Sequence, residues 1–316
     1  MPFSDALLAC PRCGGKLREL RCAACRAQYH ARGGIPDLRV PSDARTEAVR
    51  EFYLRAPFPN YPPRDSLSAL RARAGRSAFA RRLDRSLPGD AVIAEIGCGT
   101  GQLSLFLASA DRVVVGADLS RASLELASAA AGRYGVSAQF VETDLRSPGL
   151  RRGAFDVVIC SGVLHHTPDP RASFAAVASL ARPGGVLVIG LYNAFARIPQ
   201  RLRRAAYRLC GVAPLDPVLA SRSAEPARRE AWLRDQYLHP EEHRHTLREV
   251  RGWFAENGVE YLRCFPSALF GGEDGDLFTQ SEDEWAPESL LSQLSWMRTL
   301  GGEGGLFVVT GSVAAS

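Results

Sequence analysis

Three glycines and one acid stand close together in Glu95-Ile96-Gly97-Cys98-Gly99-Thr100-Gly101. Backbone without a Cβ turns sharply and lets a ligand come close. The apolar run Ala91-Val92-Ile93-Ala94 precedes this stretch, and Leu103, Phe106, Leu107 and Ala110 follow it at helical spacing. The pattern reads as strand, glycine turn and helix. The first N–H groups of such a helix point at whatever occupies the turn. A dinucleotide turn, G-x-G-x-x-G, needs its third glycine where Gln102 stands; here it falls one position early, at Gly101. Glu95 would repel a pyrophosphate and suits a cationic ligand. Asp118 and Asp144 end two further strand-like runs, on the edge where such folds bind ligands.

Four cysteines form a second constellation. Cys10-Pro11-Arg12-Cys13 and Cys22-Ala23-Ala24-Cys25 are two pairs eight residues apart, a spacing that suits tetrahedral zinc. Two redox dithiols or a disulfide framework are the competing readings. A redox motif is normally one pair at a helix start, and disulfides do not suit a reducing compartment. A closed four-thiolate site keeps no open coordination position, so its role is structural. Cys98, Cys160, Cys210 and Cys264 read as buried free thiols.

A third group carries proton chemistry. His165 and His166 follow the apolar run 155–160, and imidazole is the side chain most readily neutral and basic near pH 7. The plainer alternative is that one of them only caps the loop before Thr167-Pro168. Tyr192 and Asn193 follow another strand and are placed to orient an acceptor. His239, His243 and His245 crowd a polar segment, but Pro240 breaks the helix that ligands four apart would need. That segment reads as part of a substrate lid.

The elements that must position these groups alternate between strand and helix from residue 91, which argues a parallel sheet with helices on both faces. Strands are expected at 91–95, 113–117, 138–141, 155–160 and 186–191, with helices over 121–134 and from Pro170 between them. After 192 the alternation breaks. A basic amphipathic helix, 198–209, is expected to pack on the core; five arginines and no acid lie between 197 and 208. A helix near 247–257 and strands at 259–265 and 306–309 close the pattern, with an acidic glycine-rich loop, 271–284, between the last two strands. Upstream, 46–53 and 66–85 read as helices, and Pro57-Phe58-Pro59-Asn60-Tyr61-Pro62-Pro63 as a strap or a pocket wall.

The chain is 316 residues long, and 46% hydrophobic and 23% charged residues are enough for a sizeable core. The expected organisation is a zinc module at 1–42, a helical linker at 43–90, and one domain at 91–316 with a lid insertion at 192–246. Residues 1–90 hold 17 Arg and Lys against 9 Asp and Glu, although Lys16 is the only lysine and the arginine bias reads as compositional. No run approaches the roughly 20 apolar residues of a membrane span, and the N-terminus lacks a basic region followed by an apolar one. A cytoplasmic location is expected, and the oligomeric state is open.

Taken together, 95–101, Asp118, Asp144, 155–166 and 180–188 resemble the motifs of class I S-adenosylmethionine-dependent methyltransferases, nearest to the ubiquinone/menaquinone-biosynthesis type. That cofactor carries a sulfonium and an α-amino group and no phosphate, in keeping with Glu95. The resemblance implies an α/β fold with a seven-stranded Rossmann-like sheet. It assigns Glu95, Gly97, Cys98, Gly99, Gly101, Asp118, Leu119, Asp144, Leu145 and Ser161 to the cofactor, with Asp118 on the ribose and Asp144 on the adenine amino group. His165, His166 and Tyr192 are the catalytic candidates. Residues 7–38 resemble two kinds of zinc ribbon, the small activator subunits of methyltransferases and the ribbons fused to some bacterial ones, so Cys10, Cys13, Cys22 and Cys25 are the expected structural zinc ligands. The expected reaction is in-line methyl transfer to an O, N or C atom of a small molecule. One alternative is an rRNA or tRNA methyltransferase holding RNA with its ribbon and basic N-terminal region. Base-amino methylation is disfavoured, because Cys160-Ser161-Gly162-Val163 stands where those enzymes often carry Asn/Asp-Pro-Pro-aromatic. The other alternative is a cofactor-binding scaffold without activity.

Overall fold

The computed structural model describes residues 5–55, 57–59, 65–211, 216–221, 224–268, 275–280, 286–300 and 304–315. Asn60–Pro63 of the expected strap lie outside the described residues, as do 271–274 and 281–284 of the acidic loop.

The chain begins with two small hairpins, β1 (Leu17–Arg18) with β2 (Arg21–Cys22), and β3 (His30–Arg32) with β4 (Ile35–Asp37). Helix α1 (Ala44–Arg55) follows, then α2 (Leu67–Arg76) and α3 (Ala78–Ser86). The single helix expected over 66–85 is thus two. Ser77 takes an extended conformation, and its hydroxyl accepts from Ala80 N, so it starts a new helix rather than continuing the old one.

Strand and helix then alternate: β5 (Val92–Ile96), α4 (Gln102–Ala108), β6 (Val113–Asp118), α5 (Arg121–Tyr134), β7 (Ala138–Glu142), β8 (Phe155–Ser161), α6 (Pro170–Ala178) and β9 (Ala181–Tyr192). Local chemistry sets these ends. Ser120 caps α5, and Gly135 closes it in the left-handed region. Asp169 caps α6, with Pro170 in its first turn. The insertion contributes α7 (Ile198–Cys210), α8 (Pro217–Ser221), α9 (Pro226–Leu233) and a π-helical turn over Arg234–Leu238. Then come α10 (Leu247–Glu256), β10 (Val259–Phe265), α11 (Ala286–Thr299) and β11 (Leu306–Val313).

The main sheet has the order β10-β11-β9-β8-β5-β6-β7-β4-β3. The seven strands from β10 to β7 are the expected ones. Strands β5 to β9 pair in parallel, and β11 inserts antiparallel between β9 and β10. The N-terminal module adds the last two strands: β4 pairs in parallel with β7 through Asp37 and Glu142. A bridge between Leu8 and Leu150 seals the module a second time, and Leu8, Leu17 and Tyr29 share a buried cluster with Phe155 and Leu180. On the same side Phe174 stacks on Phe254 at 5.3 Å. Burying such a ring contributes about 1.5–3 kcal/mol. Cys98, Cys160 and Cys264 are buried as expected, but Cys210 ends α7 and is exposed.

Candidate active site

Strand β5 delivers Glu95 and then the glycine turn to the carboxyl edge of the sheet. Gly97 and Gly99 have φ of 74° and 53°, the left-handed region that glycine enters without strain. A Cβ at Gly97 would overlap Val163, and one at Gly99 would overlap the Phe58 carbonyl oxygen. The turn is tied to the next strand, because Gly97 N and Cys98 N both donate to the Ala117 carbonyl, at 2.7 and 3.1 Å. Asp118, which ends β6, accepts from Gly99 N at 2.8 Å and from Ser120 N at 2.7 Å. Burial raises the Asp118 pKa, and these donors oppose that shift.

A cavity of about 340 Å³ lies over this edge. It is lined by Glu95, Gly97, Cys98, Gly99, Asp118, Leu119, Asp144, Leu145 and Ser161, so of the expected cofactor residues only Gly101 stays out of the lining. Gly101 instead begins α4 from a left-handed conformation. Glu95 is buried beneath the turn, with the Ser104 hydroxyl as its donor, and burial pushes its pKa up to about 7. A carboxyl held there gains most from a cationic group in the cavity. Asp144 is clasped by Arg146, which donates from Nη2 at 2.8 Å and from its backbone N at 2.9 Å.

The roof comes from residues that the motifs do not include. Thr46, Val49, Arg50 and Tyr53 of α1 line the cavity, with Phe58 and Pro59 of the strap. The strap lies on the glycine turn, where Thr100 donates to the Pro59 carbonyl. The Tyr53 carbonyl accepts from Ser120 Oγ at 3.2 Å, and the Tyr53 hydroxyl donates to Asp235 at 2.7 Å. Asp235 is buried on the π-helical turn, and its other oxygen accepts from Gln236 at 2.7 Å. A single π turn often marks a functional site. No lining residue comes from 192–246, where the lid was expected. That 46–53 forms a helix was legible in the sequence, but its place above the turn was not, since nothing in a helical period says which distant element it covers.

The three catalytic candidates separate. His166 and Thr167 line the cavity, whereas His165 and Tyr192 lie behind it. The His165 ring stacks on Tyr192 at 3.8 Å, its Nδ1 accepts from Tyr192 N at 3.3 Å, and its buried Nε2 has no partner. Burial holds the His165 pKa well below 6.5. His166 Nδ1 sits 2.7 Å from the Glu241 carbonyl, which only accepts, so Nδ1 carries the proton and Nε2 is the basic nitrogen. Burial lowers the His166 pKa to about 4 and that of its ring neighbour His239 to about 3. Tyr192 is pinned by the Arg197 guanidinium over its ring at 3.8 Å and by Gln236 on its hydroxyl at 2.7 Å.

Away from this edge, Cys10, Cys13, Cys22 and Cys25 place their four sulfurs within 4.8 Å of one another. Zinc–sulfur bonds of about 2.3 Å in a tetrahedron set sulfurs about 3.8 Å apart. The Cys10–Cys25 and Cys13–Cys22 separations of 3.6 and 3.5 Å fit that donor set.

Residues 94–189 match the methyltransferase domain family. An uncharacterized protein of Synechococcus sp. is 30% identical over 299 residues, which cover 80% of this chain and 69% of the relative. The ubiquinone biosynthesis O-methyltransferase of Ralstonia nicotianae is 39% identical over 94 residues, 29% of this chain and 40% of the relative, so this chain spans less than half of that protein's length. Among solved structures, the magnesium protoporphyrin IX methyltransferase of Synechocystis superposes with a TM-score of 0.48 at 18% identity, covering 87% of this chain and 99% of the other. The chain belongs to one family with the Synechococcus protein, and it is an S-adenosylmethionine-dependent methyltransferase.

Proposed function

We propose that the protein moves the methyl group of S-adenosylmethionine to an O, N or C atom of a small molecule by in-line displacement. The observation that carries this reading is the roofed cavity, closed by α1 and the strap over the glycine turn. The chain's residues fit the cofactor. The glycine turn fits closely under Val163 and the Phe58 carbonyl while its backbone lines the cavity, and Glu95 has no ion-pair partner among the described residues. Asp118 would hold the ribose hydroxyls, Asp144 the adenine amino group, and Glu95 the α-ammonium. Bound there, S-adenosylmethionine supplies an electrophilic methyl on a sulfonium. The protein's part is position, which supplies roughly 7–11 kcal/mol in well-oriented reactions. Where the acceptor carries a proton, His166 is the cavity-lining residue to take it, at Nε2; with its pKa held down to about 4 by burial, it suits an acceptor whose own proton is acidic. His165 and Tyr192 hold the His166 loop rather than touch the acceptor.

The test is transfer from labelled S-adenosylmethionine into a cell extract that is then divided into small molecules and RNA. Label in the small-molecule fraction is expected, and label in RNA overturns the reading. RNA is the second reading because of a cleft of about 890 Å³ between the N-terminal module and residues 146–152. Arg12, Lys16, Arg151 and Arg152 line it, and Asp5 is the only acid among its lining residues. Arg146 lines both spaces, which puts the cleft beside Asp144 rather than beside His166. A strand bound there would lie at the adenine end of the cofactor, away from the methyl.

The four cysteines are assigned to structural zinc. Cys10→Ser should lose the metal and loosen the module from β7 and Leu150, read by metal analysis and proteolysis. Full metal content in that variant would refute the site.

A further inference from the structure

Helix α7 sits on the protein with its polar face inward. Gln200 is buried, and Arg204 donates to Glu242 at 2.8 Å and to the His239 carbonyl at 2.7 Å. Tyr207 lies against Tyr237, ring to ring at 5.3 Å. Leu202, Ala205 and Leu209, spaced three and four residues apart, occupy the opposite face and are exposed. Leu209 is 85% exposed and Leu202 68%, whereas no other large hydrophobic among the described residues exceeds 54%. The amphipathic pattern that predicts a helix packed on the core therefore belongs to a helix whose apolar stripe faces away from it.

Cations rim that stripe. Arg201 and Arg208 are exposed beside it, and Arg244 on the adjoining segment lies close enough to Arg201 to repel it. None of the three has an ion-pair partner among the described residues. The nearby acid, Glu242, is turned inward and already bound by Arg197 and Arg204. An exposed apolar stripe with unpaired arginines along its edge is the form taken by helices lying in the headgroup layer of an anionic bilayer. A second copy would bring like charges together, and two leucines and an alanine are far short of the roughly 800 Å² per partner that stable protein pairs bury. A 13-residue helix is marginal alone, but the contacts to Glu242, His239 and Tyr237 hold it folded, so a membrane need not order it.

We propose that α7 is a membrane-surface helix, seating the protein on anionic lipid through Leu202 and Leu209 with Arg201, Arg208 and Arg244 at the headgroups. No helix among the described residues is long and apolar enough to cross a bilayer. The inference stands apart from the choice of acceptor. Its test is flotation of the full chain with vesicles of phosphatidylcholine alone and of phosphatidylcholine mixed with phosphatidylglycerol. Binding to the mixed vesicles alone, weakened by salt, is expected. The double variant Leu202→Gln/Leu209→Gln should bind about tenfold more weakly or worse. Arg201→Gln/Arg208→Gln should lose about 25-fold, at roughly fivefold per cation near the surface. Absence of vesicle binding, or binding unchanged in the leucine variant, overturns the proposal. So does a lower melting temperature in that variant, which would mean the stripe is covered within the chain, or a wild-type dimer that the variant splits.

Discussion

On the glycine-turn side of the cavity, Glu95 and Asp118 lie at the ends of neighbouring strands, and Gly99 N of the turn and Ser120 N, two residues on, hold Asp118. On the histidine side, residues far apart in the chain meet: Tyr53 from α1, His166 after β8, and Asp235 and Glu241 from the insertion. The first side is assembled by the sheet and needs only local order. The second exists only when three separate segments dock. The two sides also titrate in opposite senses. Glu95 is shifted from 4.5 up to about 7, so the folded state holds a proton that the unfolded chain releases, and stability is lost as pH rises through about 7. His166 is shifted from 6.5 down to about 4, so the unfolded chain holds the extra proton, and stability is lost as pH falls through about 4.

The difference can be broken at either side. Gly97→Ala puts a Cβ into Val163 at a left-handed φ, and should lower stability by about 3 kcal/mol and abolish cofactor binding; chemical denaturation and calorimetry check both. Asp118→Ala removes a charged acceptor and should weaken S-adenosylhomocysteine binding about 10–100-fold, with the domain still folded. Unchanged affinity by calorimetry would undo the ribose assignment. Cofactor affinity should fall about tenfold for each pH unit below 7, because the pairing proposed for the α-ammonium needs Glu95 ionised, and should level off above 7 until the α-ammonium itself loses its proton. Glu95→Gln should flatten that profile while leaving the acid-side loss set by His166 and His239. Tyr53→Phe should have the smallest effect, a loss of about 1–2 kcal/mol in stability with little change in cofactor affinity. If Tyr53→Phe weakened the cofactor as much as Asp118→Ala, the two sides would not be separable.

Much of the cofactor side was legible in the sequence. Strand, turn and Glu95 lie within a few residues of one another and Asp118 ends the next strand-like run, so Glu95, Gly97, Gly99 and Asp118 could be named before any packing was known, and all four line one cavity. His165 and His166 were indistinguishable there, because adjacent residues share every local signal. The path of the backbone decides that one faces the cavity and the other stacks behind it on Tyr192. Tyr53 and Asp235 carried no sequence signal of partnership, since a hydrogen bond across 182 residues leaves no period or spacing to read.

The amino-acid sequence by itself determined the alternation of strands and helices, the glycine turn with its acids, and the paired cysteines. Each of these rests on interactions between near neighbours in the chain: side-chain period, the φ that glycine permits, and ligand spacing. Only the tertiary structure decided that the N-terminal module extends the sheet through β4, that α1 rather than the insertion roofs the cavity, and that α7 turns its leucines outward. A helical period states that a helix has an apolar face. What that face meets depends on buried polar contacts elsewhere, here the grip of Glu242 and the His239 carbonyl on Arg204.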